Sequence, residues 1–267
     1  MNASMPWTAV RIKAAKGREK IVCLTAYDYA TARLVDEVGL PLILVGDSLG
    51  MTVLGYAHTL PVTMFDMLHH TAAVARGVQN ALVVADMPFM SYQVSVPQAL
   101  ANAGRLLKVG AKAVKIEGGE LRVPTVCALV ANGIPVLGHI GLEPQSVQTM
   151  GGYKVQGRTP DAAAVLLRDA RALEAAGVFA LVLEGIPAEL AGRITASVGV
   201  PTIGIGAGPQ CDGQILVLHD LLGLIPGARQ PRFVKRYAEL GAAAKVAIAD
   251  YKQDVEQGRF PGPEQCY

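Results

Sequence analysis

Seven polar side chains stand at the ends of five successive apolar runs. Asp47 and Ser48 follow Leu42-Ile-Leu-Val-Gly46, and Asp86 closes Ala81-Leu-Val-Val-Ala85. Lys115 and Glu117 close Ala113-Val-Lys-Ile-Glu117, His139 closes Pro135-Val-Leu-Gly-His139, and Glu184 closes Ala180-Leu-Val-Leu-Glu184. Two carboxylates at neighbouring strand ends suit a hard divalent cation whose remaining positions go to water or substrate oxygen. Mg²⁺ is the default, with Mn²⁺ or Co²⁺ as substitutes. Either aspartate alone reads better as a helix N-cap. The pair, with Glu117 on the next strand, favours the metal. Lys115 and Glu117 lie two apart, so on a strand they share a face. They read as a structural pair, or as a supporting carboxylate beside a cation that neutralises a developing enolate oxygen. Ser48 can cap the following loop or donate to a substrate carboxylate. His139 reads as hydrogen-bonded filler or as a catalytic group. An acid such as Glu184, after an apolar run, has a raised pKa unless it is paired, which suits a general base.

These groups must be positioned by strands buried on both faces, since only a parallel sheet covered by helices requires such unbroken apolar runs. Strand-like runs begin near Ile21, Pro41, Ala81, Ala113, Pro135, Phe179, Pro201 and Ile215. Helical patterns fill the gaps. Thr63-Met-Phe-Asp66 opens the helix at 63–78 as a capping box with Asp for Glu. Pro97 opens a helix that closes at Gly110, and Asp161–Ala176 ends at Gly177. Eight such alternations in about 200 residues predict a (β/α)8 TIM barrel, whose catalytic groups gather at the carboxyl ends of the strands. A doubly wound open sheet usually has fewer strands. We therefore expect a single barrel domain over residues 1–267, with a short N-terminal helix and a C-terminal extension. Within that extension, Arg232–Gln257 reads as one or two helices, followed by a mobile Pro/Gly-rich tail from Gly258.

Composition narrows the function. The chain has 267 residues, 51% of them hydrophobic, and a formal charge of +2. No apolar stretch reaches the ~18 residues of a membrane span, and no basic run points to nucleic acid. Cys23, Cys127, Cys211 and Cys266 are widely spaced without a C-x-x-C pair. Neither zinc nor a disulfide framework is expected, and reduced thiols in the cytoplasm are. Met1–Lys20 lacks the apolar segment of a secretory signal. Two loops carry further signals. Gly204-Ile-Gly-Ala-Gly208 follows the seventh strand, where such barrels often bind phosphate, although close strand–helix packing needs the same glycines. Met150–Arg158, with its Gly pair, Tyr153, Lys154 and Arg158, reads as a lid or ligand-gripping loop.

Taken in order, several motifs resemble the ketopantoate hydroxymethyltransferase family. They are Val45-Gly-Asp-Ser-Leu-Gly50, Leu60-Pro-Val-Thr63, Ala85-Asp-Met-Pro-Phe-Met90, Val114-Lys-Ile-Glu-Gly118, Gly138-His-Ile-Gly-Leu142, Gly151-Gly-Tyr-Lys-Val-Gln-Gly157 and Gly204-Ile-Gly-Ala-Gly208. The likeness runs from about Val22 to about Pro261 and implies a barrel of the phosphoenolpyruvate/pyruvate type. By this resemblance Asp47 and Asp86 would ligate Mg²⁺, with Glu117 completing or supporting the site. Ser48, Asp86 and Lys115 would contact a 2-oxo acid, α-ketoisovalerate, Glu184 would accept its proton, and His139 would line the pocket. The expected reaction takes a one-carbon unit from 5,10-methylenetetrahydrofolate to give ketopantoate for pantothenate and coenzyme A synthesis, in a homo-oligomer that is commonly a decamer. A metal-dependent lyase or aldolase acting on another 2-oxo acid is the alternative.

Overall fold

The computed structural model describes residues 5–225, 227 and 230–267. They form two compact units, Met1–Val217 and Leu218–Tyr267.

The first unit is a closed barrel of eight parallel strands in sequence order. These are β1 (Ile21–Thr25), β2 (Leu42–Val45), β3 (Leu82–Asp86), β4 (Ala113–Glu117), β5 (Val136–Gly141), β6 (Ala180–Glu184), β7 (Thr202–Ile205) and β8 (Gly213–Leu216). The seam joins Ile21 to Gly213. A Cβ added at Gly213 would fall 2.2 Å from the Ile21 carbonyl oxygen, so the strands approach there only because that position is glycine. β8 thus begins two residues before the apolar run at Ile215 that announces it.

Alternation along each strand decides what fills the lumen. Ile21, Cys23, Leu42, Leu44, Leu82, Val84, Ala113, Leu137, Ala180, Val182, Ile203 and Ile215 make one buried cluster. Two residues further along the same strand faces come Asp86, Lys115, His139 and Glu184, with Glu117 two residues beyond Lys115. The polar groups are therefore the top layer of a lumen that is otherwise apolar. Helix Ala9–Ala14 contributes Ile12 to this cluster, alongside the lower strand residues.

Local signals set the helices. Thr63 and Asp66 form the reciprocal capping box on helix Met64–Gly77, with Thr63 N donating to Asp66 Oδ2 at 2.9 Å and Asp66 N to Thr63 Oγ1 at 3.2 Å. Two further expected helices form at Val96–Lys108 and Pro160–Ala176, the latter ended by Gly177 at φ 99°. Buried Asp36, at the end of helix Tyr29–Glu37, accepts the backbone N–H groups of Gln79 (2.9 Å), Asn80 (3.0 Å) and Ala81 (2.7 Å), and so straps down the entry to β3.

In the second unit a short helix, Leu218–Leu222, precedes a long one, Leu240–Glu256, which is shorter than the 232–257 pattern suggests. Before it, Tyr237 N donates to Leu221 O, and at its first turn Gly241 N donates to Gly223 O. The tail after Gly258 folds back on this helix: Arg259 N and Phe260 N donate to Asp254 O, and Phe260 meets Tyr251 edge to face. No helix among the described residues is long and apolar enough to cross a membrane.

Candidate active site

Strand register assembles the polar layer. Asp86 of β3 lies beside Lys115 of β4, and Glu117 beside His139 of β5. Lys115 Nζ is 2.8 Å from Asp86 Oδ1 and 3.6 Å from Glu117 Oε1. The His139 ring lies between two acids, with Nδ1 3.5 Å from Glu117 Oε1 and Nε2 3.3 Å from Glu184 Oε2. Neither contact closes into a short hydrogen bond, so both ring nitrogens and Glu117 Oε1 are buried with slack around them. Such looseness is common where contacts tighten on binding. Asp47 arrives from the loop after β2. Its backbone N–H donates to Asp86 Oδ2 at 2.9 Å. A Cβ at Gly46 would stand 2.9 Å from Ser48 Oγ and 3.5 Å from Asp86 Oδ2, so a glycine keeps that approach open. Ser48 occupies the N-cap position of the short helix Leu49–Thr52 but makes no capping bond. Its Oγ instead lies 2.8 Å from the Tyr27 hydroxyl. All seven expected groups thus belong to one rim.

The electrostatics follow from crowding three acids where water is excluded. Burial, then Asp86 and Glu117, push the Asp47 carboxyl well above the usual carboxylate range. Burial opposes the Lys115 ammonium, but Asp86, Glu117 and Asp47 outweigh it and hold the charge more firmly than in an ordinary lysine. Burial and Lys115 likewise oppose the His139 imidazolium, yet Glu117 and Glu184 raise its pKa to about 9. Burial would raise Glu117, but His139 and Lys115 pull it below the usual range. The Glu184 environment is not simply apolar. It faces His139, so the burial argument drawn from its preceding run gives way to a pairing.

Three residues that sequence reasoning did not single out complete the site. Gln145, in the turn Pro144–Ser146 after β5, donates through Nε2 to Asp47 Oδ2 and to Met87 O, both at 2.9 Å. Tyr92 donates to Gln145 Oε1 at 2.8 Å and accepts from Glu117 N at 3.1 Å. Tyr27, buried beneath Ser48, has its hydroxyl pushed up to about 12 by burial. The only advance signal for Gln145 was its position just past a strand end. Tyr92 and Tyr27 offered none, since a lone tyrosine near a loop has no periodicity to betray its direction.

The two loop expectations divide. At Gly208 (φ 81°) an added Cβ would fall 2.4 Å from that of Ala188, so close packing accounts for this glycine. The 150–158 loop does reach the rim: Gln156 N donates to Gly185 O at 2.9 Å, and the Tyr153 hydroxyl lies 3.7 Å from Met51 Sδ. Burial, then Asp47 and the other rim acids, raise the Tyr153 hydroxyl, which places it within their field.

Among the described residues no three His, Cys, Asp or Glu side chains converge as a ready-made metal cage. The donor set nonetheless fits an ion that brings its own waters or substrate oxygens. Asp47 and Asp86 are adjacent, oxygen-bearing and buried, and their mutual repulsion is what a divalent charge relieves.

The chain matches the family model of ketopantoate hydroxymethyltransferase over residues 7–263. A Moorella thermoacetica protein called 3-methyl-2-oxobutanoate hydroxymethyltransferase is 58% identical over 262 residues, 97% of each chain. Among solved structures, 2,3-dimethylmalate lyase of the PEP mutase/isocitrate lyase superfamily is similar with a TM-score of 0.61 at 19% identity, over 98% of this chain and 92% of that one. A phosphonopyruvate hydrolase in complex with oxalate and Mg²⁺ gives a TM-score of 0.60 at 15% identity, over 97% and 93%. At those identities the structural likeness speaks for the barrel type, and the sequence likeness speaks for descent. With its motifs in order along nearly the whole chain, this protein belongs to the ketopantoate hydroxymethyltransferase family.

Proposed function

We propose that the chain transfers a hydroxymethyl group from 5,10-methylenetetrahydrofolate to 3-methyl-2-oxobutanoate, giving 2-dehydropantoate. The observation that carries this reading is a buried lysine between two acids, beside a third, on the rim of a barrel whose 58% identical relative bears that name. Asp47 and Asp86 would hold Mg²⁺, or Mn²⁺ or Co²⁺ in its place. When bound, the ion polarises the keto group and acidifies the carbon beside it. Glu117 is engaged by Gln145 N at 3.0 Å and by Lys115 and His139, which suits support rather than ligation.

The remaining steps fall to this chain's own groups. The Ser48 hydroxyl and Lys115 hold the substrate's carboxylate end, and the Lys115 charge faces the oxygen that becomes an enolate. Glu184 takes the proton from the branched carbon. Its pairing with His139 favours this assignment, because an imidazolium between two carboxylates has no lone pair to accept a proton itself. Water opens the folate's N–CH2–N bridge, both C–N bonds breaking to release tetrahydrofolate and a one-carbon unit at the formaldehyde level. The enolate carbon adds to that unit, and its oxygen takes up a proton to become the hydroxymethyl group. The 150–158 loop, tied beside Glu184 through Gly185, would cover the incoming folate. The oxalate complex of the fold relative, an enolate-like dianion with Mg²⁺, supports the metal–oxo acid reading. We read the working form as a homo-oligomer, a decamer by family resemblance, in the cytoplasm, consistent with four free thiols among the described residues.

The test is product formation from 3-methyl-2-oxobutanoate with and without methylenetetrahydrofolate. A folate-dependent gain of one hydroxymethyl group supports the reading. Carbon–carbon cleavage of a 2-oxo acid without folate would replace it with a lyase.

A further inference from the structure

Gln145 is 5% exposed, and its side chain is fully employed. Its two N–H bonds go to Asp47 Oδ2 and Met87 O, each at 2.9 Å. Its oxygen accepts from Tyr92 Oη at 2.8 Å and Gln93 Nε2 at 3.1 Å. That exhausts the two donors and two lone pairs of an amide. The orientation is therefore determined: a flipped amide would set its oxygen against a carboxylate and a carbonyl. The backbone N–H of the same residue donates to Glu117 Oε2 at 3.0 Å. One residue from the loop after β5 thus grips the Asp47 carboxylate, the carbonyl next to Asp86, and Glu117.

We propose that Gln145 is a positioning residue that sets the affinity for the divalent cation. Its amide fixes the Asp47 carboxylate through Oδ2, while its backbone turns Glu117 aside. The assignment rests on the metal reading given above. The choice of residue type has a physical reason. A lysine in this place would neutralise Asp47 and compete with a cation, and an aliphatic chain would let the carboxylate rotate away from Asp86 under their mutual repulsion. A neutral donor aims the carboxylate and leaves its charge available. Asp47 Oδ1 has no hydrogen-bond partner among the described residues, so the oxygen that remains is the one free to meet an ion.

The test is direct Mn²⁺ binding to the full-length protein in the presence of 3-methyl-2-oxobutanoate, read from the paramagnetic signal of free Mn²⁺. Gln145→Met keeps length and bulk but removes every side-chain bond, and should weaken Mn²⁺ binding about 10–100-fold, the usual consequence of losing a group that orients a metal ligand. Saturating Mn²⁺ should then recover most of the turnover, so the apparent KM for metal moves while kcat changes little. A merely structural role would lower the number of sites and leave their affinity alone. Tyr92→Phe keeps the ring but loosens the amide, and should weaken Mn²⁺ several-fold even if Gln145→Met fails to fold. Unchanged Mn²⁺ affinity in whichever variants fold overturns the proposal. Wild-type protein that binds no Mn²⁺ overturns the metal assignment itself, and the role of Gln145 with it.

Discussion

The rim chemistry reduces to which side chain carries a proton and which carries a charge. Glu184→Gln keeps shape but cannot accept a proton. In deuterium oxide with Mg²⁺ and without folate, it should slow exchange of the branched-carbon proton of 3-methyl-2-oxobutanoate by roughly 10²–10⁴, the range for one general base. If instead His139→Asn abolishes exchange and Glu184→Gln does not, the two roles must be swapped. Lys115→Met should reduce kcat/KM by the equivalent of about 3–4 kcal/mol. Exposed Lys112, three residues earlier, should tolerate the same change, and equal losses would refute the placement. His139 also predicts a pH dependence. Its folded pKa, about 9, lies above the ordinary 6.5, so its contribution to stability is complete below pH 6.5 and disappears as pH rises through 9. Metal-free wild type should therefore lose up to ~3 kcal/mol of unfolding free energy over that window, and His139→Asn should lose much less, as denaturant titrations at both ends would show. The seven rim residues were legible because each is a polar interruption where an apolar strand stops. Gln145 was not. It sits in a loop, and only the register of four strands places it against Asp47.

At the scale of elements, the Asp36 strap invites a stability test. Asp36→Ala would strand three backbone N–H groups before β3. Since hydrogen bonds to a charged group contribute about 1.5–3 kcal/mol each, a loss of roughly 3 kcal/mol or more is expected in chemical denaturation. A loss below 1 kcal/mol would mean that water replaces the carboxylate. The 150–158 loop should slow its amide exchange at saturating tetrahydrofolate, and unchanged exchange would count against its covering role. Strands were easier to place than the C-terminal segment for a physical reason. A strand buried on both faces is apolar up to its rim end, whereas the segment before Leu240 carries helix-compatible residues, of which Tyr237 gives its backbone N–H to Leu221 O. No local pattern reports that competition.

For the molecule as a whole, a bound ion that recognises only the folded site must raise the melting temperature. At a free concentration of 100 times Kd the gain is about 2.7 kcal/mol, or roughly 5–10 °C for a chain of this size. Mg²⁺ with the oxo acid should produce it in wild type and not in the Asp47→Asn, Asp86→Asn double variant. The seam between β1 and β8 carries a different consequence, one of timing. Ile21 is among the first strand residues to leave the ribosome, and its partner Gly213 is among the last of the barrel. At about 5–20 residues per second, β1 waits on the order of 10–40 s with an open edge. Asp47, Asp86, Lys115, Glu117, His139 and Glu184 are all synthesised during that wait, yet the ring that holds them is incomplete. A nascent chain stalled at Val200 should therefore contain every rim residue and still present β1 to chaperones and proteases, and should become protected only once Gly213–Leu216 has emerged.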